Sequence, residues 1–204
     1  MKQLLLDIQP KALPTLNNFV AGRNAEALHQ LNLLLQGQSD VRFIYLWGEE
    51  GSGKSHLLSA CKALNPQIFC ADDVHLLAED AQIDLFNIYN RLRESGGTLI
   101  ATGITAPTQM NLRDDLATRL AWGLTYQLHP LNDEEKAQAL RNHAQAKGMR
   151  LPDEVLDYCL RYLRRDLPTL MATINALDEW SLTYKRPVTL PLLRQLLQLP
   201  LGSD

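Results

Sequence analysis

The sequence predicts an α/β fold with a mostly parallel, four-stranded sheet, followed by a small all-helical domain. Strand-like and helix-like segments alternate from about residue 41 to 128, and this alternation is typical of a parallel sheet with helices on both faces. After His129-Pro130 only helix-like segments follow. The predicted division is an N-terminal peptide and tether (1–14), an α/β base domain (15–130) and a helical domain (131–204).

The elements of the α/β part are separated by residues that end helices and strands. Helices are predicted over 54–64, ended by Asn65-Pro66, and over 79–95, ended by Gly96-Gly97. The strands are short apolar runs, which we place at 42–47, 67–71, 98–102 and 124–128.

Four helices are predicted in the C-terminal part. Asn132 and Glu135 have the spacing of a capping box, and the helix that they begin ends before Gly148. Later helices are expected after Pro152, from Asp166, and over about 190–199.

Composition restricts the functional classes. The 204 residues are 46% apolar and 21% charged, as in globular proteins, and the net charge of −3 argues against a chain that holds nucleic acid by itself. The N-terminal leucine run is too short for a signal peptide, so we expect a cytoplasmic protein. The five histidines are scattered and predict no metal site. The cysteines have no CxxC spacing and are expected to be small buried hydrophobes: Cys61, Cys70 and Cys159.

One motif has clear chemical meaning. Residues 48–55 fit the pattern G-x-x-x-x-G-K-[ST], after a predicted strand and at the start of a predicted helix. In such a loop, backbone N–H groups and the helix N-terminus face phosphate oxygens, the lysine reaches the phosphates, and the hydroxyl binds Mg²⁺. Glu49 and Glu50 are expected to face outward. The predicted nucleotide-binding residues are Gly48, Gly51, Ser52, Gly53, Lys54, Ser55 and His56.

An acidic pair ends the second predicted strand. Asp72 is placed to hold Mg²⁺ through water, together with Ser55, and Asp73 is a candidate for polarising an attacking water. Taken alone, two aspartates after a strand are only a turn signal. The phosphate loop favours the functional interpretation.

Three segments and one glycine resemble a known family. The segments 53–58, 85–92 and 115–120, with Gly123, resemble the AAA+ module of the DnaA family, and the short chain with its N-terminal peptide is most similar to the DnaA-homologous regulators. The resemblance spans essentially the whole chain. It implies a protein that binds the DNA sliding clamp and stimulates hydrolysis of ATP held by DnaA. The initiator itself would carry a C-terminal DNA-binding domain, which we do not expect here.

The resemblance also assigns the N-terminus. Residues 3–8 are similar to a clamp-binding peptide, which would insert apolar side chains into a pocket and hydrogen-bond at its rim. The alternative is an ordinary amphipathic start. The implied partner-binding residues are Gln3, Leu4, Leu6 and Ile8.

Arg119 aligns with the arginine finger of the family. Such a guanidinium stabilises charge on the phosphate of a neighbouring subunit's nucleotide, and it contributes roughly 10³–10⁵ in rate. The alternative is an ordinary i,i+4 ion pair with Asp115.

The chain departs from the family at the two sensor positions, whose side chains take part in hydrolysis. Ile104 stands where a polar sensor is expected, which leaves Thr102 or Thr105 as substitutes, and Pro168 stands where a second sensor would supply an arginine. Only 18 positions separate Lys54 from Asp72, so the strand and helix that the family usually has between these two motifs are missing. We therefore expect ADP or ATP with Mg²⁺ as a structural or regulatory ligand, or an empty site, and weak or absent hydrolysis by the chain itself.

Two other functions stay open at this stage. One is an autonomous P-loop NTPase such as a small-molecule kinase, and the other is a clamp-loader-like AAA+ subunit. Direct specific DNA binding and membrane association are not expected, and a homodimer is left open.

Overall fold

The computed structural model describes residues 13–198, which form two compact units, an α/β unit (Leu13–Leu131) and a helical unit (132–198). The strands of the α/β unit are β1 (Phe43–Trp47), β2 (Phe69–Ala71), β3 (Leu99–Gly103) and β4 (Leu124–Gln127). Its α-helices are α1 (Ala25–Leu35), α2 (Lys54–Leu64), α3 (Glu79–Ser95) and α4 (Asp114–Ala121). The helices of the helical unit are α5 (Asp133–Ala146), α6 (Asp153–Tyr162), α7 (Leu167–Tyr184) and α8 (Leu190–Gln198).

The sheet has the order β2-β3-β1-β4, and all its pairings are parallel. Ile44 of the central strand β1 lies opposite Ile100 on one side and Leu124 on the other. The predicted four-stranded parallel sheet is therefore confirmed.

Alternate residues of β1 enter two separate cores. Ile44 and Leu46 pack with the buried side chains of α1 and α2, such as Leu31 and Leu57. Tyr45 points into the other core with α3 and α4. Because side chains alternate along a strand, one buried strand supports helices on both faces of the sheet.

The second strand is shorter than the predicted 67–71. Gln67 donates its backbone N–H to the Asn65 side chain at 3.1 Å, and Ile68 donates its own to the Asn65 carbonyl oxygen at 3.1 Å. Since these two N–H groups belong to the turn after α2, β2 begins only at Phe69.

The helical unit has its own apolar core, to which α5 to α8 all contribute. The capping box of α5 is confirmed: Asn132 accepts the Glu135 N–H at 2.8 Å, and Glu135 accepts the Asn132 N–H at 2.8 Å. Asp166 caps α7, and Pro168 lies in its first turn, where a missing N–H costs no helical bond. None of the helices between residues 13 and 198 has the length and apolar character that a membrane span requires.

Candidate functional site

The phosphate loop, residues 48–55, connects β1 to α2. Gly48, Gly51 and Gly53 have positive φ angles of 148°, 79° and 95°, which glycine adopts without steric cost. A Cβ on Gly48 would overlap the backbone carbonyl oxygen of Leu128. The side chains of Glu49 and Glu50 are exposed, as the sequence predicts. The loop thus turns its two carboxylates to solvent while its backbone curls.

Lys54 is the buried cation of the loop. Its side chain is 8% exposed, and its Nζ donates to the carbonyl oxygens of Gly48 at 2.8 Å and Glu49 at 3.0 Å. These charge-assisted bonds offset the loss of hydration that burial imposes on an ammonium group. They also hold the two ends of the loop in one arrangement.

The residues of the loop fit the phosphates of a nucleotide. The Ser52 hydroxyl is buried and has no hydrogen-bond partner within the described part of the chain, and such an orphaned polar group is usually satisfied by a ligand or a water. The loop N–H groups and Lys54 would hold the phosphates, and Ser55, exposed in the first turn of α2, would bind Mg²⁺ with Asp72. When bound, a Mg²⁺–nucleotide would supply phosphate charges that the loop N–H groups and Lys54 neutralise.

The segment 15–24 lies against the loop, which the sequence did not indicate. The Phe19 ring packs so closely on Gly53 that a Cβ there would lie 2.6 Å from a ring carbon. His56, a predicted nucleotide-binding residue, instead contacts protein: its Nε2 lies 2.9 Å from the Thr15 carbonyl oxygen, and its ring packs on Phe19 with centroids 5.6 Å apart. The first turn of α2 is therefore covered on this side by the chain itself.

Asn24 fixes this segment to the end of the sheet. It is 3% exposed, donates to the His129 carbonyl oxygen at 2.8 Å and accepts the His129 N–H at 2.8 Å. A buried amide bound on both sides is a specific link. An asparagine before a helix is common in sequences, so the sequence alone did not predict this link between Asn24 and His129.

Thr102 joins the two aspartates that follow β2. Its hydroxyl donates to an Asp72 carboxylate oxygen and accepts the Asp73 N–H at 2.8 Å. Thr102 is fully buried, whereas Ile104 is 50% exposed. Of the two threonines left open by the sequence, it is Thr102 that contacts the acidic pair.

Asp73 has an unusual backbone. Its φ of +46° is left-handed, a conformation that Asp tolerates better than most residues. Its carboxylate lies 3.9 Å from His75 Nδ1. Burial first, and the charge of Asp73 second, raise the pKa of the Tyr45 hydroxyl, which donates to the Thr105 carbonyl oxygen at 3.0 Å. No hydrogen bond between described residues joins either aspartate to Lys54 or Ser55.

Arg119 lies near the end of α4 and is only half-buried. Its guanidinium carbon is 4.2 Å from the centre of the Trp122 ring and 5.8 Å from that of Phe86. No Asp or Glu among the described residues forms an ion pair with it. It lines an open surface pocket of about 470 Å³, which we call the Arg119 pocket, with Asn90, Arg93 and Glu94.

The alternative role of Arg119, an ion pair with Asp115, is wrong. Asp115 instead binds Arg113, whose Nε and second terminal nitrogen lie 3.3 and 3.0 Å from its carboxylate oxygens, and this bond lowers the Asp115 pKa. Arg113 is also 3.7 Å from Glu79. Asp115 is therefore already paired with a nearer cation at the start of α4.

The predicted clamp-binding residues and the second sensor position lie away from the phosphate loop in sequence. Gln3, Leu4, Leu6 and Ile8 lie outside the described residues. At the start of α7, Pro168 carries no cation, and the neighbouring Arg164 and Arg165 lie 3.6 Å from Asp166 and 4.0 Å from Asp133, respectively.

The fold matches solved structures of DnaA and of RuvB. Domain III of the Thermotoga maritima replication initiation protein DnaA aligns with a TM-score of 0.71 and 22% identity, over 93% of this chain and 98% of that one. AMPPCP-bound DnaA from Aquifex aeolicus aligns with a TM-score of 0.68 and 20% identity, over 84% of this chain and 66% of that one. A RuvB variant from Thermotoga maritima aligns with a TM-score of 0.63 and 13% identity, over 93% of this chain and 72% of that one.

These likenesses, with the phosphate loop and the parallel sheet, show the fold: the α/β unit folds like an AAA+ module, and a helical unit follows it in the chain. A family model described as "Hda, lid domain" matches residues 133–197. This match lies within the helical unit.

Proposed function

We propose that this chain is a Hda-like regulator of replication initiation, which binds the DNA sliding clamp and stimulates ATP hydrolysis by DnaA in trans through Arg119. The observation that carries the proposal is the match of residues 133–197 to the Hda lid domain. The DnaA-like fold of the chain supports it.

The setting of Arg119 supports a role toward a partner. A guanidinium carries a permanent charge and five N–H donors in a planar fork, which suits phosphate oxygens. Here no described carboxylate neutralises that charge, and the pocket beside it is open to solvent. A group held in this way can reach the phosphates of a nucleotide on another molecule, where it stabilises the charge of the transition state.

The chain's own nucleotide has a different role in this proposal. ADP or ATP with Mg²⁺ binds the phosphate loop as a structural or regulatory ligand, with Ser55 and Asp72 near the metal. Hydrolysis is weak because Thr102, one of the two threonines near the sensor position, already donates a hydrogen bond to Asp72. Asp73, the candidate for polarising water, uses its N–H to bind Thr102 and keeps its carboxylate near His75.

Clamp binding is assigned to the N-terminal peptide. Gln3, Leu4, Leu6 and Ile8 would dock as an extended segment, with the apolar side chains in a pocket and Gln3 at its rim. The predicted peptide and tether, residues 1–14, contain Pro10 and Pro14.

The direct test measures ATP hydrolysis by DnaA in the presence of clamp loaded on DNA, with and without this chain. We expect stimulation that requires the clamp. Gln3→Ala should abolish that stimulation and clamp binding while leaving ADP affinity unchanged.

Two results would contradict the proposal: hydrolysis by DnaA that does not change on addition of the chain, or rapid ATP turnover by the isolated chain. The second result, with a phosphate acceptor found, would favour a small-molecule kinase. Salt-sensitive DNA binding by the isolated chain would favour a clamp-loader-like subunit.

A further inference from the structure

We propose that Trp122 is the positioning residue of Arg119: its indole ring holds the guanidinium at the surface, charged and with its donors free, for the phosphates of a nucleotide bound by a partner. This inference rests on the proposed function and adds to it a residue that the resemblance did not assign.

The geometry that carries the inference lies at the end of α4. Trp122 follows the last residue of the helix, and its backbone N–H donates to the Arg119 carbonyl oxygen at 3.2 Å. A separation of three residues places both side chains on the same side of the helix. The guanidinium carbon then lies 4.2 Å from the centre of the Trp122 ring, well inside the range of a cation–π contact.

Trp122 is not needed to fill a core. It is 58% exposed, although it is the largest type of side chain. The apolar core formed by α3, α4 and the sheet is built from other residues, Leu116 and Leu120 among them. An aromatic ring left at the surface beside a guanidinium therefore calls for another role.

An aromatic contact suits this role better than an ion pair. A carboxylate would neutralise Arg119 and occupy its N–H groups, as Asp115 does with Arg113. A ring attracts the guanidinium through its π-face and uses none of the in-plane donors. Trp122 can therefore restrict the rotamers of Arg119 and still leave its charge and donors for phosphate.

A second cation uses the same ring. The Arg93 guanidinium carbon lies 5.2 Å from the centre of the Trp122 ring, and Arg93 lines the Arg119 pocket. Two positive groups that repel each other in solution are thus gathered at one ring. Losing the ring releases both, so the effect of Trp122 on Arg119 should exceed that of any other exposed apolar side chain of the unit.

The test compares Trp122→Ala, Trp122→Phe and Leu76→Ala in the clamp-dependent assay with DnaA. Leu76 is the matched control, since it is 75% exposed and lies outside the pocket. Trp122→Ala should lower the maximal rate of partner hydrolysis about 10- to 100-fold, the cost of a catalytic group misplaced by about 1 Å. The concentration that gives half-maximal stimulation should stay nearly constant. Trp122→Phe should recover most of the rate, and Leu76→Ala should behave like the wild type.

Three results would overturn the inference: a wild-type maximal rate for Trp122→Ala, a loss that appears only as weaker affinity, or a Trp122→Phe variant no better than Trp122→Ala. Equal melting temperatures of all variants would show that folding is not the cause. Arg119→Ala in the same assay separates the two proposals. If it abolishes stimulation while Trp122→Ala does not, only the role of Trp122 fails; if it stimulates normally, the arginine finger fails and the inference with it.

Discussion

The molecule holds its two most informative cations in opposite ways. Lys54 is buried, and both of its described hydrogen bonds go to carbonyl oxygens of its own loop. Arg119 is half-exposed and rests on the rings of Trp122 and Phe86. The first cation is satisfied by backbone acceptors, and the second makes no hydrogen bond or ion pair with any residue between 13 and 198.

Under the proposed function, this difference separates a site that binds the chain's own nucleotide from a group that acts on a nucleotide held by a partner. A buried ammonium needs acceptors, because an unpaired charge away from water is costly. An exposed guanidinium needs no acceptor from the protein. Each of its N–H donors that bonds no protein group can bond a partner instead. The comparison predicts that changes at the two sites have separable effects. Arg119→Ala and Lys54→Ala test this separation, and Thr102→Val tests the link between Thr102 and the two aspartates.

The largest effect is expected for Arg119→Ala. Stimulation of DnaA hydrolysis should fall by roughly 10³-fold or more, because the charge that stabilises the transition state is lost. Folding and ADP affinity should be unchanged, since the side chain lies at the surface. Arg113→Ala, at the N-cap of the same helix, is the matched control, and it should stimulate almost normally because its ion pairs are exposed. Equal loss in both variants would remove the special role of Arg119.

Lys54→Ala should have its main effect on the chain's own nucleotide. Titration calorimetry with ADP and Mg²⁺ should show that binding is lost or greatly weakened. Urea unfolding should show a loss of about 1–3 kcal/mol, because the carbonyls of Gly48 and Glu49 lose a charged donor.

Lys62 provides the control for this experiment. It lies on the same helix, and its Nζ donates to the carbonyl oxygens of Pro66 and Ile68, both at 2.9 Å. Lys62→Ala should therefore lower stability but leave ADP affinity intact. If the two variants bound ADP equally well, Lys54 would have no part in phosphate binding.

The smallest effect is expected for Thr102→Val, which keeps the shape and removes the hydroxyl. The Asp73 N–H then loses its acceptor in a partly buried position, which should cost about 1–3 kcal/mol of unfolding free energy. Thr173→Val is the control, since this buried hydroxyl only donates to the Thr169 carbonyl oxygen one helical turn earlier. A loss of stability no larger for Thr102→Val than for Thr173→Val would argue against the Thr102 link.

Much of the fold could be predicted because the chain marks its own boundaries. The ranges of α2 and α3 agree with their predicted bounds, 54–64 and 79–95, since Asn65-Pro66 and Gly96 end them. The phosphate loop could be recognised for a similar reason: its glycines and lysine are consecutive in sequence. Such features need no knowledge of distant contacts.

The remaining features depend on contacts between residues that are far apart in sequence, which a sequence pattern does not predict. Helix α4 has only eight residues, too few turns for a periodic pattern. Helix α1 begins without a side-chain cap, because the Asn24 side chain binds His129 instead. Phe19 meets Gly53 from 34 positions away, and Phe86 meets Arg119 from another helix. Of these residues, Trp122 was the easiest to predict from the sequence, because it lies three positions after Arg119. The roles of Gln3, Leu4, Leu6 and Ile8 stay predictions.

The central claim, that Arg119 acts on a nucleotide held by another molecule, is tested most directly by a single-turnover measurement. DnaA is loaded with γ-labelled ATP, free nucleotide is removed, and the chain is added with clamp on DNA. The account predicts rapid release of labelled phosphate with the wild-type chain and none above background with Arg119→Ala. Equal release with both chains would contradict it.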